Sequence, residues 1–496
     1  AISLAVLLGT FMGGMCLGSL TLARYVSRAE HPLLVYAKLE AFIGIIGAML
    51  IVLMPLVGRL YTAVDGGGPM SVALRALVSV LLLLPPTILM GATLPAIARY
   101  VESTPTGTAW LGFFYGGNIA GAVVGCLTAG FYLLRKFDLT TASLVAVALN
   151  ALVAGAALLL ARRAPYTGKA DATSEAGDRA TAIRPGGSAA ATADATRGIA
   201  SWQPRGVYLA IALSGLTALG AEVVWTRLLS LMFGATTYAF SIILAVFLIG
   251  LGIGSVSGSA IARDASNPRA ALGWVQLLLA FSTAWGAWIL AHGLPHWPIN
   301  ASLAPSAWFN FQLDMARAMF TVLPGAVLWG ASFPLALAAA SRRGSDPGRT
   351  VGRVYAANTL GAIAGSVVTG IVLVPWIGTK GAQQVLIVLS VISGMAALLP
   401  LFAKRTDMAE TGGGDRAAGL GGVAHPSAPA SLGPASTFGI GILSVAALYF
   451  AAHVASVPAG LIAWGRSLPW QGEPNALYVG EGINSSIAVT EESNGY

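Results

Sequence analysis

The sequence predicts an all-α polytopic membrane protein: two parallel six-helix repeats, the first lacking its first helix, then an extra C-terminal helix and the start of a β-rich soluble domain. Three observations carry this reading. Of 496 residues, 56% are hydrophobic and only 10% charged, against roughly 25% charged in an average soluble domain; with a mean hydropathy of +0.75, an ordinary soluble enzyme is excluded. Apolar runs of about 20 residues, the length that crosses a bilayer, recur along the whole chain. The third is self-similarity at a spacing near 240 positions.

Five apolar runs fall near 1–23, 33–57, 71–98, 108–134 and 138–161, forming a first membrane repeat over 1–163. The first residues already have mid-helix character, with no charged segment ahead of them, so the N-terminus reads as cut. Residues 164–204 are rich in Ala, Thr, Ser, Gly and Arg and bury too little apolar surface to order themselves, which predicts a disordered linker. Six runs near 206–232, 235–262, 269–292, 312–340, 351–375 and 380–403 make a second repeat over 205–403, and a Gly/Ala/Pro-rich linker covers 404–436. The run 437–457, extended by PAGLIAWG, predicts an additional membrane helix or a re-entrant hairpin over 437–465, followed by a soluble start over 466–496.

The repeat is visible residue by residue. YGGNIAGAVVG at Tyr115 answers YAANTLGAIAG at Tyr355, pairing Asn118 with Asn358, Gly121 with Gly361 and Gly125 with Gly365; Gly130 and Gly370 follow. LPPTILMGATLP (84–95) parallels LPGAVLWGASFP (323–334), and Gly18, Ser19 and Pro32 answer Gly254, Ser255 and Pro268. A lone small-residue spacing is common in Gly-rich membrane helices, but matches in chain order at nearly constant shift point to duplication. The run at 206–232 has no partner in the first copy, which places one helix upstream. Six spans per copy is an even number, so both copies enter from the same face, as in the halves of major facilitator transporters.

The formal charge of +8 fits cytoplasmic loops rather than nucleic acid, since no basic stripe carries interleaved aromatics. Arg24, Arg28, Arg99, Arg263, Arg269, Arg342, Arg343 and Arg349 share the face of both linkers, against Arg59, Arg135, Lys136 and Lys380 opposite. The linker face is therefore cytoplasmic. Abundant Arg and Ala over Lys suggest a GC-rich bacterial genome, and with it the bacterial inner membrane. Cys16 and Cys126 lie inside apolar runs and the five histidines are scattered, so neither a disulfide framework nor a metal site is expected.

Intramembrane polar groups are the candidate sites, because charge in lipid is costly. Glu40 with Lys38, Glu222 with Arg227, and Asp314 with Arg317 are the charged ones; Asn118 and Asn358 are amides amid glycines, suited to interhelical hydrogen bonds. Asp314 and Arg317, three apart, can pair locally and snorkel at a boundary. Glu222 and Arg227 are five apart, about 140° around a helix, and must find other partners. Glu40 answers Gln276 in the repeat, so the shared architecture does not require its charge. No catalytic, cofactor or metal motif occurs in the chain.

The tail LYVGEGINSSIAVTEESNGY alternates Ile487 and Val489 with Ser486, Ala488 and Thr490, the period of a half-buried strand, and Asn494-Gly495 signals a hairpin turn. The second strand would lie beyond Tyr496, so the segment is expected to be loosely attached. This stretch resembles the opening β-hairpin of the spermidine synthase family, and GAEVVWTRLLSLMFGATTYAFS (220–241) resembles the membrane half of bacterial proteins that fuse a transporter-like bundle to such a domain. The resemblance implies aminopropyl transfer from decarboxylated S-adenosylmethionine to putrescine, by a catalytic domain absent from this chain. The alternative is a major-facilitator-like transporter or exporter of a small cationic molecule. The expected partners are the lipid bilayer and a polyamine-like substrate, with no nucleic acid.

Overall fold

The computed structural model describes residues 2–25, 31–64, 69–102, 107–163, 205–297, 306–341, 347–411, 434–468, 474–482 and 485–491. The linker 164–204, most of the linker 404–436 and the Asn494-Gly495 turn lie outside these residues. The helices are α1 (Ile2–Tyr25), α2 (Pro32–Val64), α3 (Pro69–Glu102), α4 (Gly107–Leu127), α5 (Leu139–Arg163), α6 (Arg205–Phe233), α7 (Thr237–Asp264), α8 (Pro268–Trp288), α9 (Ala307–Ala340), α10 (Pro347–Val368), α11 (Val374–Thr411), α12 (Pro434–Ala452) and the short α13 (Ala459–Trp464). Among the described residues, nine segments are long and apolar enough to cross a bilayer. The chain is an all-α multi-pass membrane protein.

Helix starts follow their caps. Asp138, Thr236, Asn267 and Ser306 accept the backbone N–H groups of Thr141, Ala239, Ala270 and Phe309 ahead of α5, α7, α8 and α9, satisfying donors that a helix leaves free. After α10 the chain makes a π-helical turn (Thr369–Leu373) and reverses at Gly378, whose φ of 70° suits glycine. A π-helical turn also follows α4, at Thr128–Leu133. α11 is described to Thr411, past the predicted linker boundary at 404; its last turns (AKRTDMAE) are mostly good helix formers.

Close backbone crossings set the packing. A methyl group at Gly14 or Gly18 of α1 would overlap Thr87 or Ile88 of α3, and one at Gly91 would overlap Met15. In α7 and α9, Gly250, Gly254 and Gly330 meet Ala326, Val327 and Leu251 in the same way. α3 and α9 also carry matching internal prolines, Pro85 with Pro324 and Pro95 with Pro334. α1 reaches across to α10 and α4 to α7, with Gly9 beside Val367 and Gly252 beside Ile119. α6 crosses α10 where Gly215 meets Asn358 and where Gly361 and Gly365 meet Ala212 and Leu216.

The core of α6–α11 is apolar, with Trp225, Leu228, Leu229, Ile242, Leu279 and Trp329 all buried. Within it sits a polar hub. Gln276 donates to Ser214 Oγ (3.3 Å) and Ser332 Oγ (2.8 Å) and accepts from Ser393 Oγ (3.0 Å), tying α8 to α6, α9 and α11.

α12 lies against α8 and α11 and runs antiparallel to α11: Ser444 is beside Met395, and Ala451 O accepts from Gln384 Nε2 at 3.0 Å. It therefore ends where α6 ends. β1 (Asn475–Glu481) and β2 (Ser486–Glu491) then form an antiparallel hairpin with Val479 opposite Ala488 and Glu481 opposite Ser486. One expectation is corrected here: the predicted strand has its partner within the chain, upstream of it. Ile487 and Val489 are exposed while Ser486, Ala488 and Thr490 are half-buried.

Two outcomes follow from the packing. Gly254→Leu should force α7 from α9 and cost about 1–3 kcal/mol, read as a lowered unfolding midpoint in detergent, whereas Gly155→Leu, at a glycine with open space around it, should be neutral. The hydroxyl and N–H of Thr141 hold the exposed Asp138 carboxyl below its ordinary value. A lowered native value means that the cap's contribution is present above the ordinary aspartate range, about pH 3.9, and is lost as the pH falls through the native value. Hydrogen exchange at 139–142 should therefore accelerate in acid, and Asp138→Asn should flatten that dependence.

Candidate functional site

The charged groups gather at the end of the bundle where α6 finishes. Asp314 and Arg317, in the second and third turns of α9, are buried almost completely, and Asp314 Oδ1 lies 3.8 Å from Arg317 Nη1. The predicted snorkelling at a boundary is thus overturned. The nearer partner of Asp314 comes from the tail: Arg466 Nη2 donates to its Oδ2 at 2.6 Å, while Arg466 Nε donates to the Met232 carbonyl at the end of α6 (3.1 Å). A second guanidinium makes burial of the carboxylate tolerable, since an unpaired ion there would be strongly destabilising.

Arg227, one and a half turns before the end of α6, finds its partners in the hairpin. Its Nη2 donates to Gly482 O at 2.7 Å and to Ser486 Oγ at 3.1 Å. Glu481 completes the contact from the other strand. Its carboxylate accepts the Thr379 N–H and, at 2.8 Å, the Thr379 hydroxyl, directly after the Gly378 reversal. A carboxylate at the start of a helical segment satisfies free N–H groups and meets the positive end of the helix dipole. The hairpin is therefore fastened by Glu481 to α11 and by Arg227 to α6, not loosely attached.

The remaining candidates separate. Glu222 is 4% exposed, and its Oε1 has no hydrogen-bond partner; Arg227 does not reach it, as the angular separation on the helix requires. Glu40 receives the Tyr36 hydroxyl one turn earlier on α2, a local contact, and Lys38 is exposed. Asn358 lies in the α6–α10 crossing, whereas Asn118 is exposed on α4. The five candidate positions Glu40, Glu222, Arg227, Asn118 and Asn358 thus do not form one site. Arg466, Thr379, Glu481 and Gln276 are the functional or organising residues that sequence reasoning missed. For Glu481 a signal was present, because it opens the EG pair of the quoted hairpin motif.

At the bundle end the guanidinium groups of Arg466 and Arg227 tie the tail to the helices through Asp314, Gly482 and Ser486. Among the described residues no three His, Cys, Asp or Glu side chains converge. No protein-family model matches the chain, and no curated protein is significantly similar to it.

Glu481→Gln should weaken the capping of α11 and Arg227→Ala should remove the second fastening, each by about 1–2 kcal/mol. Amide exchange in β1 and β2 should rise roughly tenfold for either change, with α7–α9 unaffected; unchanged exchange in both variants would mean that the hairpin is held by something else.

Proposed function

We propose that this chain is the membrane region of a spermidine synthase-like integral membrane protein: a duplicated, major-facilitator-like bundle that holds an α/β transferase-type domain at one end. The observation that carries the reading is the fastened hairpin. Its turn end is bonded to the bundle through Glu481, Gly482 and Ser486, and Tyr478, Ile487 and Val489 on one face, with Leu477 and Val479, stay strongly exposed. A two-stranded hairpin with an open apolar face is marginal alone and is suited to receive further strands. The duplicated plan is supported by the matching glycine crossings of α1 on α3 and α7 on α9, by the matching prolines, and by the reciprocal contacts of α1 with α10 and α4 with α7. Reciprocal contacts of this kind are what a twofold relation between copies produces.

The course of α12 supports a full crossing rather than a re-entrant hairpin, so the tail leaves the bundle opposite both linkers. With the Arg-rich linker face cytoplasmic, the carried domain is extracytoplasmic. Its substrate is then an amine of that compartment, and donation by decarboxylated S-adenosylmethionine requires that sulfonium nucleoside to be supplied there.

A second reading, transport of a small cation, is favoured by one observation: Glu222 is buried with a carboxylate oxygen unpartnered, and such groups in membranes mark ion or substrate pathways. Against it, the interior beside α6 is filled by Trp225, Trp329 and Phe247.

Reporter fusions within 164–204 and after residue 491 should score on opposite membrane faces; the same face for both would overturn the placement. Proteoliposomes of residues 1–496 should carry no labelled putrescine. Flux that is lost in Glu222→Gln would establish the transport reading instead.

A further inference from the structure

The two copies differ on one face. In the second copy, α10 turns Ala357, Asn358, Gly361, Ala362 and Gly365 toward α6, whose Ala212, Gly215, Leu216 and Leu219 pack on them. In the first copy the matching positions of α4, Gly117, Asn118, Gly121, Ala122 and Gly125, are all exposed. A methyl group at Gly117, Gly121 or Gly125 would meet nothing within 4 Å, while at Gly361 and Gly365 it would overlap the backbone of α6. The same contrast holds along the copies: the spanning windows over α2–α5 are 6–18% buried, those over α6–α9 50–67%.

We propose that the open face of α4 is the seat of one further membrane-spanning helix, the counterpart of α6, joined ahead of α1. The inference rests on the duplicated reading and goes beyond it by assigning a docking surface and its occupant. Connectivity selects this occupant over a lipid or a second copy. α6 passes into α7 through only three residues, Gly234–Thr236, so its counterpart enters α1 directly and reaches α4 without a long crossover. The surface chemistry agrees. Glycines at four-residue spacing let two backbones approach and gain dispersion contacts, a fit that disordered acyl chains do not reproduce, and Asn118 supplies an amide for an interhelical hydrogen bond, as Asn358 lies within the α6 crossing.

The test uses α6 itself as the probe. A copy of residues 205–236 is fused ahead of Ile2 of the full chain, with Cys16 and Cys126 replaced by Ala. Ala122→Cys is paired with Leu219→Cys in the added helix, the counterpart of the buried Leu219–Ala362 contact. Rapid disulfide formation and a raised unfolding midpoint are expected, and Gly121→Leu should reduce the yield about tenfold or more. Absence of the link, or a link indifferent to Gly121→Leu, would overturn the proposal. So would efficient Ala122→Cys linkage between two unfused chains, which would make the face a contact between copies. A Gly9→Cys/Val367→Cys pair across α1 and α10 serves as the control. If it links while the probe does not, only this inference fails; if it does not link, the duplicated arrangement fails with it.

Discussion

Everything in this molecule depends on helices approaching until backbone touches backbone. Inside lipid the hydrophobic effect does not draw two apolar helices together, because acyl chains solvate leucine as well as another helix does. What remains is dispersion over a close, complementary contact, and that requires the absence of a Cβ at the crossing point. Gly18 on Ile88 and Gly254 on Val327 are such points. They lock α1 to α3 and α7 to α9, and from α9 Asp314 is set against the end of α6. The prolines of α3 and α9 are tolerated because neighbouring helices, rather than an unbroken hydrogen-bond ladder, fix the course of these helices.

Charge then appears where the bundle can surround it with partners from distant parts of the chain. Asp314 is held by Arg466, 152 residues away, and Arg227 by Gly482 and Ser486, more than 250 residues away. These contacts close the end of the bundle and fasten the hairpin in one arrangement. α13 contributes by packing on both strands and on α6, which brings Arg466 within reach of the Met232 carbonyl. The hairpin is thus a continuation of the bundle's own packing, with its second face left for something else.

Much of this was legible in the sequence, and the failures have a common cause. Hydropathy located the long apolar helices, nine segments of which are long enough to cross a bilayer among the described residues, because run length is a direct consequence of bilayer thickness. The spacing of Glu222 and Arg227 correctly denied them a shared ion pair. Asp314 and Arg317 misled, because an i,i+3 pair looks self-sufficient and the stronger partner, Arg466, lay in the segment read as the start of a soluble domain. Glu40 and Gln276 occupy matched positions, yet one is satisfied by a tyrosine of its own helix and the other is the hub of a four-helix network. The strand at 486–490 was read with the right period and without its upstream partner. Alternation fixes which residues share a face, and the docking partner decides which face is covered.

The asymmetry between the copies separates two kinds of unfilled surface. Between α2 and α5 lies a groove of about 350 Å³ lined by Ala41, Gly44, Ile45, Ala48, Val147, Ala151 and Ala154. Its positions answer those of α8 and α11, Leu277, Ala280, Phe281, Ala284, Ile387 and Val391 among them, on which α12 packs. Ala41, Gly44, Ile45, Val147 and Ala151 are each smaller than the residue that answers them, so the groove is a recess with an almost wholly apolar lining. Acyl chains fill such a recess without leaving a polar group unsatisfied, and no helix is required. The face of α4 is different in kind. It bares peptide backbone along three glycines, and it carries an amide. Lipid satisfies neither the amide nor the close contact that glycines permit, and on α10 the helix that packs against Asn358, Gly361 and Gly365 is α6.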